Sequence, residues 1–226
     1  MAPIILCLIL LSVCPLLAFS QCPVQCQCTG NPVTTVACTG SQITSLPIST
    51  QNYDKVTKFI LANTAVTTLP VNSFNKFPNL LHLYLSNNLI SDIKVGAFNN
   101  LSALSSLQLF NNKLTSIPYK ALEQCLLLTK LNLKYNSITS IDSSKLDLHK
   151  LTVLELGFNK IASVGNMAFD NIPNVLMIDL THNNIKTITQ RMFSKIKKLK
   201  SLSLSNNKIT YIPNGCFMGF NSLTNL

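Results

Sequence analysis

Leu80-Leu81-His82-Leu83-Tyr84-Leu85-Ser86-Asn87-Asn88-Leu89-Ile90 returns 24 residues later as Leu104-Ser105-Ser106-Leu107-Gln108-Leu109-Phe110-Asn111-Asn112-Lys113-Leu114. Each copy reads L-x-x-L-x-L-x-x-N-x-L/I, and the pattern recurs seven times. The copies begin at Val56, Leu80, Leu104, Leu128, Leu151, Val175 and Leu199, spaced by 24 residues except for 23 between Leu128 and Leu151. An eighth starts at Leu223. A period of this length is the mark of a solenoid, in which one supersecondary unit stacks on the next. The L-x-L core alternates with period two, so it predicts a short strand with one buried face. The Asn stands where the backbone leaves the strand and its N–H and C=O groups lose their ladder partners, which an amide side chain can satisfy. A second apolar series closes each coil: Leu69, Ile93, Ile117, Ile141, Val164, Ile188 and Ile212, then Phe74, Phe98, Leu122, Leu146, Phe169, Phe193 and Phe217.

One coil alone cannot bury these side chains. Stacked coils share a continuous core, with one parallel strand per coil at about 4.8 Å, so seven or eight strands predict a face roughly 35 Å long. The strands are shorter than the return path, and the stack is expected to curve with the strands inside. Two irregularities stand out. Thr64 replaces the Asn of the first repeat, where no regular coil precedes it and less is demanded of the side chain. Leu146-Asp147-Leu148-His149-Lys150 lacks one residue, which predicts an irregular convex loop.

Outward from the repeats lie the chain's ends. Met1 to Leu17 is almost unbroken apolar sequence, short of the roughly 20 residues a membrane span needs. Ala18-Phe19-Ser20 supplies small residues at a signal peptidase spacing, so residues 1–20 read as a signal peptide; a short membrane anchor is the alternative. Cys22, Cys26, Cys28 and Cys38 follow at once. In an exported chain such a cluster reads as disulfides, with a zinc site as the rival. Four cysteines allow three pairings, and sequence does not choose among them. Residues 21–55 form an N-terminal cap and 56–226 the solenoid. No second Cys cluster closes the far end, so the chain is expected to be incomplete there, or to need a partner, and any membrane attachment would come through a missing C-terminal segment. Cys125 and Cys216 occupy apolar repeat positions and are expected to be buried thiols, too far apart to bridge.

Cys22-Pro23-x-x-Cys26-x-Cys28 with Val36-x-Cys38, joined to 24-residue repeats, resembles the extracellular leucine-rich-repeat proteins. Members similar to it include variable lymphocyte receptors, the non-catalytic subunit of carboxypeptidase N and Toll-like receptor ectodomains. The resemblance implies an α/β solenoid: a right-handed horseshoe with a parallel sheet on its concave face and an irregular or short helical convex side. It implies the pairings Cys22–Cys28 and Cys26–Cys38. It also implies ligand recognition, mostly of proteins and sometimes of glycans or lipids, while the fold leaves the ligand open.

Strand residues between the buried leucines project from the concave face. At the middle position the series is Ile60, Tyr84, Gln108, Asn132, Glu155, Asp179 and Ser203, and just beyond it come Phe110, Tyr135, Phe158 and His182. Exposed aromatics on adjacent rungs are what protein-binding hot spots are made of. A patch of Tyr84, Phe110, Tyr135 and Phe158 is therefore predicted, with Glu155, Asp179 and His182 beside it; the plainer reading is that the rings only pack on one another. Lys186, Arg191, Lys195, Lys197, Lys198, Lys200 and Lys208 contribute much of the formal charge of +10 with no acid among them. Lys195, Lys197 and Lys198 could hold sulfated glycans or anionic lipid headgroups, against the plainer reading of a solvated convex loop. Of that tight cluster only Lys200 falls on a predicted strand. The basic residues lack interleaved aromatics, which points away from nucleic acid. Asn100-Leu101-Ser102 is the one N-x-S/T sequon, on an exposed loop, and is expected to carry a glycan.

Catalysis needs convergent acids, bases or metal ligands. His82, His149 and His182 belong to three different repeats, and Glu155, Asp179 and His182 are the only candidate constellation. No cofactor motif occurs. The chain reads as a secreted or cell-surface recognition module of receptor, immune or adhesion type rather than an enzyme. A matrix protein or a non-catalytic subunit that scaffolds a partner is the alternative.

Overall fold

A computed structural model describes residues 22–47, 52–143 and 145–226; the expected signal segment lies outside them. Each L-x-L core forms a strand: β3 (Lys58–Ala62), β5 (His82–Tyr84), β7 (Ser106–Gln108), β8 (Lys130–Asn132), β10 (Val153–Glu155), β12 (Met177–Asp179) and β13 (Ser201–Ser203). Between them run β4 (Thr68–Leu69), β6 (Asp92–Ile93), β9 (Ser140–Ile141) and β11 (Ser163–Val164), which pair as β4 with β6 and β9 with β11. The long strands pair in parallel and in strict register, Lys58 opposite His82, Ser106, Lys130, Val153, Met177 and Ser201 in turn. Beyond β13 the eighth copy begins to add a rung through a bridge between Ser201 and Asn225. Among the described residues helix is scarce, one turn at Tyr119–Leu122 and a 3-10 turn at Gln190–Phe193. The rest of the return path is turns.

The core is one continuous cluster from Val36 to Cys216. Leu83, Leu107, Leu131, Leu154, Ile178 and Leu202 are wholly buried in line. Burying each such side chain is worth about 1.5–3 kcal/mol, which no coil could gain alone. Phe74 and Phe98 stack at 6.1 Å, and Phe169 and Phe193 at 5.9 Å. Cys125 and Cys216 are buried free thiols, and burial pushes the Cys125 thiol up to about 12.

The asparagines stitch the turns. Asn136 Nδ2 donates to Leu133 O in its own coil and to Leu109 O in the preceding one, while its Oδ1 accepts from Leu114 N. Asn88, Asn112, Asn159 and Asn183 repeat the arrangement.

The structure departs from the sequence reading at three places. The cap is not merely a lid. Its β1 (Cys26–Thr29) and β2 (Thr35–Thr39) form a hairpin, and β2 pairs in parallel with β3, which makes a nine-stranded sheet. A coil therefore precedes Thr64 after all, and Ala65 N donates to Ile43 O across it. Thr64 works forward instead: its N–H and hydroxyl both donate to Asn88 Oδ1. Lys200, in turn, stands one residue before β13 rather than within it. In the short fourth coil Leu146 and Leu148 are both buried, and Asp147 and His149 pair outside at 2.8 Å. At the C-terminal coil Ile212 is half exposed, unlike Leu69, Ile117 and Ile141 at the same position.

Candidate ligand-binding surface

Register sorts the sheet's outward side chains into columns. The first is Lys58, His82, Ser106, Lys130, Val153, Met177 and Ser201; the second begins at Ile60 and Tyr84 and passes through Glu155 and Asp179. Past the strand ends, the chain bends through a left-handed residue in every coil. Asn63, Asn87, Asn111 and Asn206 take that position with φ of 57°, 56°, 53° and 56°. Asn tolerates this conformation. In the three coils between, the same position holds Tyr135, Phe158 and His182, with φ of 55°, 56° and 52°. Holding a bulky side chain there costs roughly 1–2 kcal/mol.

These three rings form one stack. Tyr135 and Phe158 lie parallel at 4.3 Å, and Phe158 and His182 at 4.1 Å. Phe110, one position earlier in its coil, meets Tyr135 edge-on at 5.2 Å. Amides continue the line on either side, with Asn111 bonded to Asn87 at 2.9 Å and Asn206 to the His182 ring at 3.0 Å. Tyr135 keeps 43% of its surface exposed despite its neighbours. The rim is thus self-packed and still partly exposed.

Tyr84 stands apart from the stack, under the Lys58 ammonium at 5.2 Å. Glu155 and Asp179 are neighbours across β10 and β12. His182 turns to Phe158 and Asn206, and among the described residues no three His, Cys, Asp or Glu side chains gather as a metal site. Lys134, which sequence reading passed over, organises the face. Its Nζ lies 2.8 Å from Asp179 Oδ2, two coils on, and 5.9 Å from the Phe158 ring centroid. Gly157 leaves room for this bridge, because a Cβ there would lie 3.0 Å from Asp179 Oδ2 and 2.9 Å from Thr181 Oγ1. Burial works against the Asp179 carboxylate, but hydrogen bonds from Lys134 and from Thr181 outweigh it and hold its pKa below the usual value. For Glu155 burial wins, and its pKa is raised. Lys134, Gly157 and the apolar pair Val153 and Met177 were not singled out, because only the register reveals what lies one or two coils away.

Asn100 is exposed in a left-handed turn at φ 66°. Among the described residues the disulfides are Cys22–Cys28, which ties the segment before β1 back onto it, and Cys26–Cys38, which secures β1 against β2. Lys195, Lys197 and Lys198 lie exposed on the return loop before β13.

A family model described as leucine rich repeat matches residues 54–114, 102–161, 126–185, 149–208 and 173–226. No curated protein matches the chain. Among solved structures, a TLR13–ssRNA13 complex is similar, with a TM-score of 0.72 and 28% identity over 75% of this chain and 25% of that one. The chain spans a quarter of the length of that receptor. With its repeats matched from residue 54 to the last, the chain belongs to the leucine-rich repeat family.

Proposed function

We propose that this is an extracellular recognition module that binds a protein through the rim Phe110, Tyr135, Phe158 and His182, with Tyr84, Glu155 and Asp179 on the adjoining sheet face. The observation that carries this is the run of three rings in a backbone position that neighbouring coils give to Asn. A strained conformation repeated on consecutive rungs is retained where something other than stability depends on it. Ring edges, one cation–carboxylate bridge and the apolar Val153 and Met177 together resemble the core and polar fringe of a protein interface. Two disulfides support an oxidising compartment, and the exposed Asn100 suits a glycan. The receptor-like neighbour supports a receptor or adhesion setting over a matrix or subunit role.

That neighbour is a complex with single-stranded RNA. Single-stranded nucleic acid is held in large part by bases stacking on aromatic ring faces. Here the faces between Tyr135, Phe158 and His182 are already taken by each other, at 4.1–4.3 Å, so the rim favours a protein.

The test is Phe110→Ser with Phe158→Ser in chain secreted from a eukaryotic cell. Secretion and the glycan mass at Asn100 should persist, while partner capture falls by about tenfold or more, as hot-spot truncation does. Unchanged capture removes the rim from the interface.

A further inference from the structure

Seven of the eighteen cations and none of the eight acids lie in residues 180–226, so this stretch carries +7 of the formal +10. None of the seven cations forms an ion pair among the described residues; the lysines that do are Lys94, Lys120, Lys134 and Lys145. The charge is concentrated and unneutralised.

The loop holding Lys195, Lys197 and Lys198 is also fixed in shape. Phe193, Ile196 and Leu199 are buried, and Ile196 N and Leu199 N donate to Phe193 O and Ile196 O. With those residues anchored inward, the intervening Lys195, Lys197 and Lys198 and the following Lys200 are all exposed. Two ammonium groups reach in opposite directions along the solenoid. Lys198 Nζ donates to Asn174 Oδ1 in the preceding coil at 2.7 Å. Lys197 Nζ extends over Gly219 in the following coil, where any Cβ would lie 2.5 Å from it. Asp170, in the preceding coil, accepts from Ser194 Oγ at 3.2 Å and pairs with none of these lysines.

We infer that Lys195, Lys197, Lys198 and Lys200 form a docking ridge for a sulfated polysaccharide, separate from the protein-binding rim. The cations flank buried anchors, and the Lys198 and Lys197 ammonium groups reach from the preceding coil to the following one, a span of about 10 Å along the stack. A linear, densely charged chain lying along the solenoid axis meets all of them. No aromatic side chain is exposed among 194–208 to stack a base, so a polysaccharide fits better than RNA.

The experiment uses the whole secreted chain and heparin as the probe. Lys195→Ser/Lys197→Ser/Lys198→Ser is compared with Lys55→Ser/Lys113→Ser/Lys160→Ser, which removes equal charge elsewhere. The ridge variant should bind heparin about tenfold or more weakly, with a shallower salt dependence, while the control stays within about twofold. Thermal melts of both variants confirm folding. Equal losses in the two variants would show that net charge alone retains heparin and would overturn the assignment. So would tighter binding to phosphatidylserine vesicles or to a single-stranded RNA of matched charge than to heparin.

Discussion

Tyr135, Phe158 and His182 show how a residue departs from its repeat. The pattern demands only that the position tolerate a left-handed backbone, which Asn does at small cost. Three rings pay that cost and recover part of it by stacking, worth about 0.5–1.5 kcal/mol per aromatic pair. Beside them the Lys134–Asp179 bridge is a second residue-scale device, and its linkage to pH has a definite sign. The folded pKa of Asp179 lies below its unfolded value. Its contribution is therefore present above the unfolded pKa and lost as pH falls through the folded one. Urea unfolding between about pH 6 and pH 2 should show the wild type losing stability faster than Asp179→Asn. At neutral pH that variant should be about 1–2 kcal/mol less stable, because Lys134 loses its partner on a half-buried face. Parallel pH curves for the two proteins would mean that the bridge contributes nothing.

At the scale of the element, a rung consists of a three-residue strand, a turn and an asparagine that ties the turn to its neighbours. Asn136 bonds Leu109 O, Leu133 O and Lys134 O and accepts from Leu114 N, all with its side chain at the coil boundary. Asn136→Ala strands the buried Leu114 N and removes one donor each from Leu109 O, Leu133 O and Lys134 O, which keep Asn112, Asn159 and Asn111 N, so it should cost about 1–3 kcal/mol. Asn207 makes similar bonds but is only half buried, so water replaces them and Asn207→Ala should cost about 1 kcal/mol or less. Denaturant midpoints measure both, and equal costs would refute the claim that burial sets the value of the ladder. Thr64 fits the same logic, since it lends its donors to Asn88 instead of acting as a ladder amide.

For the whole molecule, stability is nearly a sum over adjacent coils. The N-terminal edge is closed by the β1–β2 hairpin and its two disulfides, with Cys38 wholly buried. In the last coil Tyr211, Ile212 and Met218 are largely exposed. Local opening should therefore be graded along the stack. Amide hydrogen exchange is expected to be slowest in β7, β8 and β10, and on the order of a hundredfold faster in residues 209–220. A uniform rate from end to end would mean one cooperative unit rather than nearest-neighbour coupling.

How much of this could be read beforehand depends on distance along the chain. The 24-residue period and the L-x-L alternation determined the strands, the shared core and the ladder of asparagines, because each is a demand that one coil makes of its own residues. The buried state of Cys125 and Cys216 followed from the same repeat positions. The two disulfide pairings rested on resemblance, since three were open to four cysteines. Only the tertiary structure decided what happens between coils: that β2 extends the sheet, that Lys134 reaches over Gly157 to Asp179, that Tyr84 stands away from the stack, and that Lys198 bonds Asn174 in the coil before while Lys197 lies over Gly219 in the coil after. Those contacts join residues 22 to 45 positions apart, and stacking register, rather than any local pattern, sets which side chains meet.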